Sequence, residues 1–100
     1  MITEILKDFP NAIVLSDDVY EFLTFDNIEF SSFANIGNNW EKTLTVYSGG
    51  KLFNATGWKV GWTIGPAHLT KPLGQVHEAA TYNTNVPSQI AVARSLEQCM

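Results

Sequence analysis

The peptide TLTVYSGGK occupies residues 43–51, where five β-prone residues are followed at once by small and polar ones. A similar change occurs over residues 12–18, where the apolar run AIVL ends abruptly at SDD. A continuous apolar run of this kind suits a strand that is buried on both faces, as in a parallel sheet. Because ligands bind beyond the carboxyl ends of the strands in such sheets, the polar residues after each run are the first candidates for function.

The rest of the pattern adds helices to these strands. Apolar residues at helical spacing over 2–9 predict a short helix, and an Asn-rich segment over 26–39 predicts a long loop. Residues 58–64 alternate and predict a third strand, and two helices follow, over 69–80 and from Pro87 onward. Pro72 is tolerable in the first of these helices only within the first turn. This order of elements predicts an α/β fold with a largely parallel sheet.

The composition predicts that the chain packs against other parts of a larger protein. One hundred residues provide one domain at most, and 45% of them are hydrophobic while only 16% are charged. Soluble domains carry about 25% charged residues. This chain therefore has too few charges to coat a small globule, and we expect an interior piece whose apolar faces are covered from outside.

Charge and residue spacing exclude several classes of function. The net charge is −4 and the six basic residues are scattered singly, so there is no basic patch for nucleic acid. No apolar run in the sequence approaches the roughly 20 residues of a membrane span. His68 and His77 do not have a metal-ligand spacing, and we predict no metal site. A phosphate loop needs Ser or Thr after its lysine, where this chain has Leu52.

Two polar clusters follow the predicted strands. Asp17, Asp18 and Tyr20 come after the first strand, and Ser48 and Lys51 come after the second. Position alone leaves a second interpretation open, because an aspartate after a strand is often a turn or helix cap, and a lysine after two glycines is usually solvated. Tyr20 taken alone fits a core aromatic residue whose hydroxyl is satisfied.

The second cluster and the residues after it carry a specific resemblance. Residues 48–62, SGGKLFNATGWKVGW, resemble the pyridoxal-phosphate lysine segment of the class I aminotransferases. Residues 16–23, SDDVYEFL, resemble the motif of the same family that contains the cofactor aspartate and tyrosine. The resemblance covers about residues 1–97. Within the family, the TGWK at 56–59 is typical of the kynurenine aminotransferases, also called glutamine transaminase K or cysteine-S-conjugate β-lyase.

The resemblance implies a role for five residues. Lys51 corresponds to the lysine that forms a Schiff base with the cofactor aldehyde and then moves a proton between substrate and cofactor. Asp17 corresponds to the carboxylate that keeps the pyridine nitrogen protonated, and Tyr20 to the phenol that donates a hydrogen bond to the ring oxygen. Ser48 and Lys59 correspond to the hydroxyl and the cation that hold the phosphate, although Lys59 taken alone fits a solvated edge lysine.

Three further positions match the family less specifically. Asp18 stands where the family usually has Glu, and we expect a structural, hydrogen-bonding carboxylate there. Tyr82 and Asn83 fall where family members send an aromatic residue toward the partner subunit's active site. A role at the end of a helix fits these two residues equally well.

The resemblance also implies the architecture of the whole protein. It implies a three-layer α/β/α fold with a mostly parallel sheet, in which residues 1–100 form part of the cofactor-binding large domain. The N-terminal part of that domain is expected outside this sequence. So is the C-terminal small domain, with the arginine that binds the substrate carboxylate.

The implied activity is that of a pyridoxal-phosphate-dependent transaminase. It transfers an amino group from kynurenine, glutamine or a related amino acid to a 2-oxo acid, and it acts as a homodimer with no membrane or nucleic acid partner. The isolated chain is expected to be inactive. The alternative is a non-catalytic aminotransferase remnant that binds no cofactor.

Cysteine usage bears on the compartment. The single cysteine, Cys99, cannot form an internal disulfide, which fits a reducing compartment. We expect a cytoplasmic protein, with the mitochondrial matrix as the alternative.

Overall fold

A three-stranded sheet organises the chain in the computed structural model, which describes residues 1–99. Its strands are Val14–Asp17 (β1), Thr43–Ser48 (β2) and Gly61–Ile64 (β3), and they lie in the order β1-β2-β3. The predicted strand at 12–15 forms two residues later, so that Asp17 is the last residue of β1 instead of the first residue after it.

The sheet of the described residues is mixed. β1 runs parallel to β2, with Asp17 opposite Val46, whereas β3 runs antiparallel to β2, with Gly61 opposite Ser48. A parallel neighbour requires a crossover over the face of the sheet. The short connection over 49–60 reverses the chain instead, and Gly49 N–H donates to Val60 O at 3.0 Å where the chain returns. The α/β class predicted from the sequence is confirmed.

Four helices accompany the sheet within residues 1–99. They are Ile2–Ile5 (α1), Gly49–Leu52 (α2), Ala67–Thr81 (α3) and Val86–Cys99 (α4). Short 3₁₀ turns occupy 33–35, 40–42 and 56–58. None of the helices in this part of the chain combines the length and the apolar character needed to cross a bilayer.

The prediction that Pro72 lies in a first helical turn is wrong. α3 begins at Ala67, directly after Pro66, so Pro72 falls in its second turn. Proline has no N–H to donate to the carbonyl of His68, one turn earlier. His68 is exposed, so water can satisfy that carbonyl and the helix continues.

The core is small and lies close to β2. Thr43 and Thr45 are 0% and 2% exposed, and the buried hydrophobic residues are Ala34, Val60 and Val92. Many large apolar side chains are exposed instead, among them Ile13, Leu15, Phe22, Leu23, Phe25, Ile28, Val76 and Tyr82. The chain is also thin, with principal extents of 44 × 42 × 20 Å.

Candidate active site

Three of the predicted site residues lie at one edge of the sheet. Asp17 ends β1 and Ser48 ends β2, and the two strands are parallel, so both residues lie at the carboxyl edge. Lys51 follows in α2, within one turn of Ser48. This edge is where an open α/β sheet places its ligands.

Ser48 shapes the turn that carries Lys51. It is the N-cap of α2, in extended conformation, and its Oγ accepts a hydrogen bond from Lys51 N–H at 3.3 Å. Serine is among the preferred N-cap residues because its oxygen satisfies a free backbone donor of the first turn. The hydroxyl hydrogen of Ser48 is not used in this bond and can still be donated to a ligand.

Two glycines allow the lysine turn to pack closely against its neighbours. A Cβ on Gly50 would lie 2.9 Å from Thr56 Cα and 3.1 Å from Ala55 O, both of them backbone atoms. A Cβ on Gly49 would lie 2.8 Å from Val92 Cγ1, on α4. The turn is thus held between the 55–56 backbone and α4, which fixes where the Lys51 side chain leaves the chain.

Tyr20 and Lys51 line the same pocket. Its volume is about 270 Å³ and its lining is mostly apolar, formed by Val19, Tyr20, Phe22, Leu23, Lys51 and Leu52. The side chains of Tyr20 and Lys51 are both exposed, and thus accessible to a ligand. Two of the five residues predicted from the resemblance therefore meet in one cavity.

Asp17 lies on the same face of the sheet as Ser48. Residues paired across strands share a face, and successive residues of a strand alternate. Asp17 is opposite Val46, and Ser48 is two residues beyond Val46, so both point to one side. Asp18 lies on the other side and is only 8% exposed, whereas Asp17 is exposed.

Lys59 lies apart from the Tyr20–Lys51 pocket. It ends the 56–58 turn in a left-handed conformation, with φ 56° and ψ 39°, and precedes β3 instead of lying within it. Its side chain is exposed and lines a second cavity of about 330 Å³, together with His77, Asn83 and Asn85. Its contact with a phosphate stays a prediction that rests on the resemblance.

A group of polar residues behind the sheet was not predicted as a unit. This rear cluster consists of Ser16, Asp18, Glu21, Ser32 and Tyr47. Ser16 Oγ donates to Asp18 Oδ1 at 2.7 Å, while Asp18 Oδ2 and Ser32 Oγ are buried without a hydrogen-bond partner in the described residues. The one available signal was strand alternation, which places Asp18 opposite to Asp17.

Two titrating groups of the rear cluster, Glu21 and Tyr47, have raised pKa values. Burial raises the pKa of Glu21 above its ordinary value, and the nearby charge of Asp18 raises it further. Burial also raises the pKa of the Tyr47 phenol, with smaller contributions from Glu21 and Asp18. The nearby Ser32 hydroxyl acts in the opposite direction and lowers the Tyr47 pKa. The ring of Tyr47 stacks on Trp62, with centroids 6.0 Å apart.

Known proteins are similar to this chain in sequence and in fold. Residues 1–98 match the profile of the family described as aminotransferase class I and II. The kynurenine--oxoglutarate transaminase of Dictyostelium discoideum is 45% identical over 94 residues, which are 94% of this chain and 22% of that protein. The human kynurenine--oxoglutarate transaminase 1 is 42% identical over 88 residues, which are 88% of this chain and 21% of that protein.

Solved structures give the same result. N-succinyldiaminopimelate aminotransferase of Mycobacterium tuberculosis superposes with a TM-score of 0.88 at 38% identity, over 96% of this chain and 25% of that one. Bna3p of Saccharomyces cerevisiae gives a TM-score of 0.89 at 33% identity, over 97% of this chain and 23% of that one.

The chain spans about a fifth of the length of the curated relatives it matches. Within that span, the two motifs at 16–23 and 48–62 predicted a family whose enzymes depend on pyridoxal phosphate, and the profile match confirms the family over nearly the whole chain. The chain belongs to the class I and II aminotransferases.

Proposed function

We propose that this chain forms the cofactor-lysine part of a transaminase that moves an amino group from kynurenine, glutamine or a related amino acid to a 2-oxo acid. The observation that carries the proposal is the shared pocket of Tyr20 and Lys51, at the strand edge where Asp17 and Ser48 also lie. The substrate class is supported by the names of relatives that are 42–45% identical to the chain.

The residues at this edge fit pyridoxal phosphate by their chemistry. The pocket offers an amine and a phenol to an aldehyde and its neighbouring ring oxygen, while Asp17 adds an anion and Ser48 a free hydroxyl hydrogen. Because Gly50 has no side chain, the lysine turn packs directly on the 55–56 backbone, which holds the backbone of Lys51 in place. When bound, the cofactor supplies an electron-accepting ring for the electron pair of a broken bond at the substrate α-carbon.

Each residue contributes a separate step. Lys51 Nζ would condense with an aldehyde carbon, whose oxygen leaves as water, and in its neutral form it would accept a proton from the substrate α-carbon. The negative charge of Asp17 would favour a protonated ring nitrogen, and Tyr20 Oη would donate a hydrogen bond to the ring oxygen. Ser48 Oγ would donate to a phosphate oxygen, and Lys59, which lines a separate cavity, would add a positive charge.

The isolated chain does not turn over in this proposal. A substrate α-carboxylate needs a bidentate partner to be held for proton transfer. The only arginine of the sequence is Arg94, which is exposed on α4 and does not line the Tyr20–Lys51 pocket. Adding an amino acid to the chain with cofactor is expected to release no 2-oxo acid above the background of free cofactor.

A homodimer is part of the same proposal, and the turn after α3 supports it. Tyr82 is 86% exposed and has φ 64° and ψ −63°, and Asn83 N–H donates to Thr81 O at 2.8 Å across it. This γ-turn is strained for a residue with a side chain. Strain at a solvent-exposed aromatic ring supports a contact of Tyr82 with another subunit.

Chemical trapping tests the cofactor role of Lys51. The chain is mixed with pyridoxal phosphate, reduced with borohydride, and digested, and the modified lysines are located by mass spectrometry. We expect most of the label on Lys51, and expect Lys51→Arg to abolish this selectivity while the matched surface variant Lys71→Arg retains it. Equal labelling of all five lysines, or no labelling, would favour the remnant that binds no cofactor.

A further inference from the structure

The buried carboxylate of Asp18 lies between two residues of the proposed site. Asp17 precedes it and lies on the face of the sheet that also carries Ser48, and Tyr20 comes two residues after it and lines the pocket with Lys51. Asp18 itself points to the opposite side and is 8% exposed. Asp18 thus stands directly after one residue of the proposed site and two residues before the other.

Three hydrogen bonds fix Asp18 to its surroundings. Its N–H donates to Val46 O at 3.0 Å, which extends the pairing of β1 with β2 by one residue. Its Oδ1 accepts from Ser16 Oγ at 2.7 Å, and its carbonyl accepts from Glu21 N–H at 3.1 Å. The side chain, the amide and the carbonyl of one residue thus anchor the end of β1 and start the turn that presents Tyr20.

The carboxylate is not explained by stability alone. Its Oδ2 is buried without a hydrogen-bond partner in the described residues, and such an atom lowers stability because it loses water without replacing it. Burial raises the pKa of Glu21 and of Tyr47, and the charge of Asp18 raises both further, so this charge opposes the charged forms of those two residues. An apolar residue of similar size would avoid both costs.

We propose that Asp18 is a positioning residue: its buried carboxylate, held by Ser16 behind the sheet, orients Asp17 and Tyr20 toward the pocket that contains Lys51. The inference rests on the proposed function, since Asp17 and Tyr20 need this orientation only if they contact a ligand there. Asp18 touches no ligand and acts only through its two neighbours.

Variants at position 18 separate this role from a general contribution to folding. Asp18→Ala removes the acceptor, Asp18→Glu keeps a carboxylate, and Ser16→Ala removes the hydroxyl donor while leaving Asp18 in place. Asp8→Asn, at an exposed carboxylate on the surface, is the matched control. Two quantities are measured in the full chain: amide hydrogen exchange across all residues, and the fraction of borohydride-fixed pyridoxal phosphate on Lys51.

The expected result is local. In Asp18→Ala the amides of Glu21 and Leu23 exchange about tenfold faster, as expected when a hydrogen bond to a charged group is lost, while those of β3 and α4 keep their parental rates. The Lys51 share of the label falls by a similar factor. Asp18→Glu restores both quantities, and Ser16→Ala gives a smaller change of the same sign.

Several outcomes would overturn the inference. It is wrong if Asp18→Ala leaves exchange at residues 17–23 unchanged, or if exchange accelerates equally throughout the chain in both Asp18→Ala and Ser16→Ala. It is also wrong if Asp18→Glu rescues nothing. If the parent chain shows no preference for Lys51, the proposed function fails instead. In that case hydrogen exchange alone tests the positioning role, by faster exchange at residues 17–23 in Asp18→Ala and its reversal in Asp18→Glu.

Discussion

At the scale of single residues, the adjacent Asp17 and Asp18 lie in different environments, one exposed and one buried. Asp17 is exposed at the carboxyl end of β1, while Asp18 is buried and accepts a hydrogen bond from Ser16. Alternation along a strand produces this difference, because successive side chains point to opposite faces. The sequence presents two identical side chains, and only their place relative to β2 distinguishes them.

The raised pKa of Glu21 predicts a pH-dependent stability. A carboxyl whose pKa is higher in the folded state than in the unfolded state binds protons preferentially when folded. Below its ordinary pKa of 4.5, Glu21 is protonated in both states and does not lower the free energy of unfolding. As the pH rises above that value, ionisation of Glu21 lowers the free energy of unfolding. Replacing it with a neutral isostere, in Glu21→Gln, should raise the free energy of unfolding at pH 7 and leave it unchanged near pH 4.

Urea unfolding of the parent chain and of Glu21→Gln at the two pH values measures this effect. Glu29→Gln serves as the control, since Glu29 is an exposed carboxylate. An equal change in both variants at pH 7 would trace the effect to net charge and not to the rear cluster.

Position 50, in the lysine turn, has no room for a side chain. In Gly50→Ala the new methyl group would approach the backbone at Thr56 and Ala55, which cannot move as a side-chain tip would. We expect a loss of about 1–3 kcal/mol, typical of overpacking, together with weaker selectivity for Lys51 in the trapping experiment. Gly74→Ala is the control, because no atom lies within 4 Å of its new Cβ and the residue is in α3. Gly74→Ala should stabilise the chain by about 0.5–1 kcal/mol, and thermal unfolding compares the two.

At the scale of secondary structure elements, α4 supports the lysine turn from behind. Val92 of α4 is 5% exposed, and a Cβ on Gly49 would touch its methyl groups. Truncation in Val92→Ala should cost about 1–3 kcal/mol in the free energy of unfolding, since it removes buried methyl groups at a closely packed contact. Val76→Ala, at an exposed position on α3, should change it by less than about 0.5 kcal/mol. Equal effects in denaturant unfolding would mean that α4 does not support the turn.

The elements that carry the site were predictable, and their details were not. The runs ending at Asp17 and Ser48 predicted β1 and β2 because a sharp change from β-prone to polar residues marks a strand end. The antiparallel direction of β3 leaves no such mark, since alternation is identical in both directions. Lys59 looked like part of that strand, because a left-handed backbone conformation at a lysine has no signal in the sequence.

The site itself was predictable in part, from the strand ends and from the family motifs. Parallel strand ends predicted that Asp17 and Ser48 share an edge, and the family motifs supplied Tyr20 and Lys51, which the structure brings into one pocket. The rear cluster escaped prediction because it joins residues 16, 18, 21, 32 and 47, which are separated by the loop of 26–39. Contacts across such a loop depend on how the chain returns, not on any local pattern.

At the scale of the whole molecule, exposed apolar surface outweighs the core. Buried hydrophobic residues are Ala34, Val60 and Val92, while large side chains such as Leu15, Phe22 and Phe25 are more than half exposed. Patches of this kind normally mark surfaces that contact other protein. We expect the isolated chain to bind a hydrophobic fluorescent dye strongly under native conditions and to sediment as more than one species. Weak dye binding and a single monomer boundary would show that the apolar side chains find partners within the chain.

The open sheet has a consequence for anyone who concentrates this polypeptide. In residues 1–99 the outer edges of β1 and β3 pair with no further strand. The free backbone amides and carbonyls of such edge strands can pair with an extended peptide from another molecule. The edge strand β1 also carries Leu15, whose aliphatic side chain is exposed on the face of the sheet and adds apolar surface beside that edge. We therefore expect concentrated chains to pair through these edges, and a peptide with the register of an added strand to compete with that pairing.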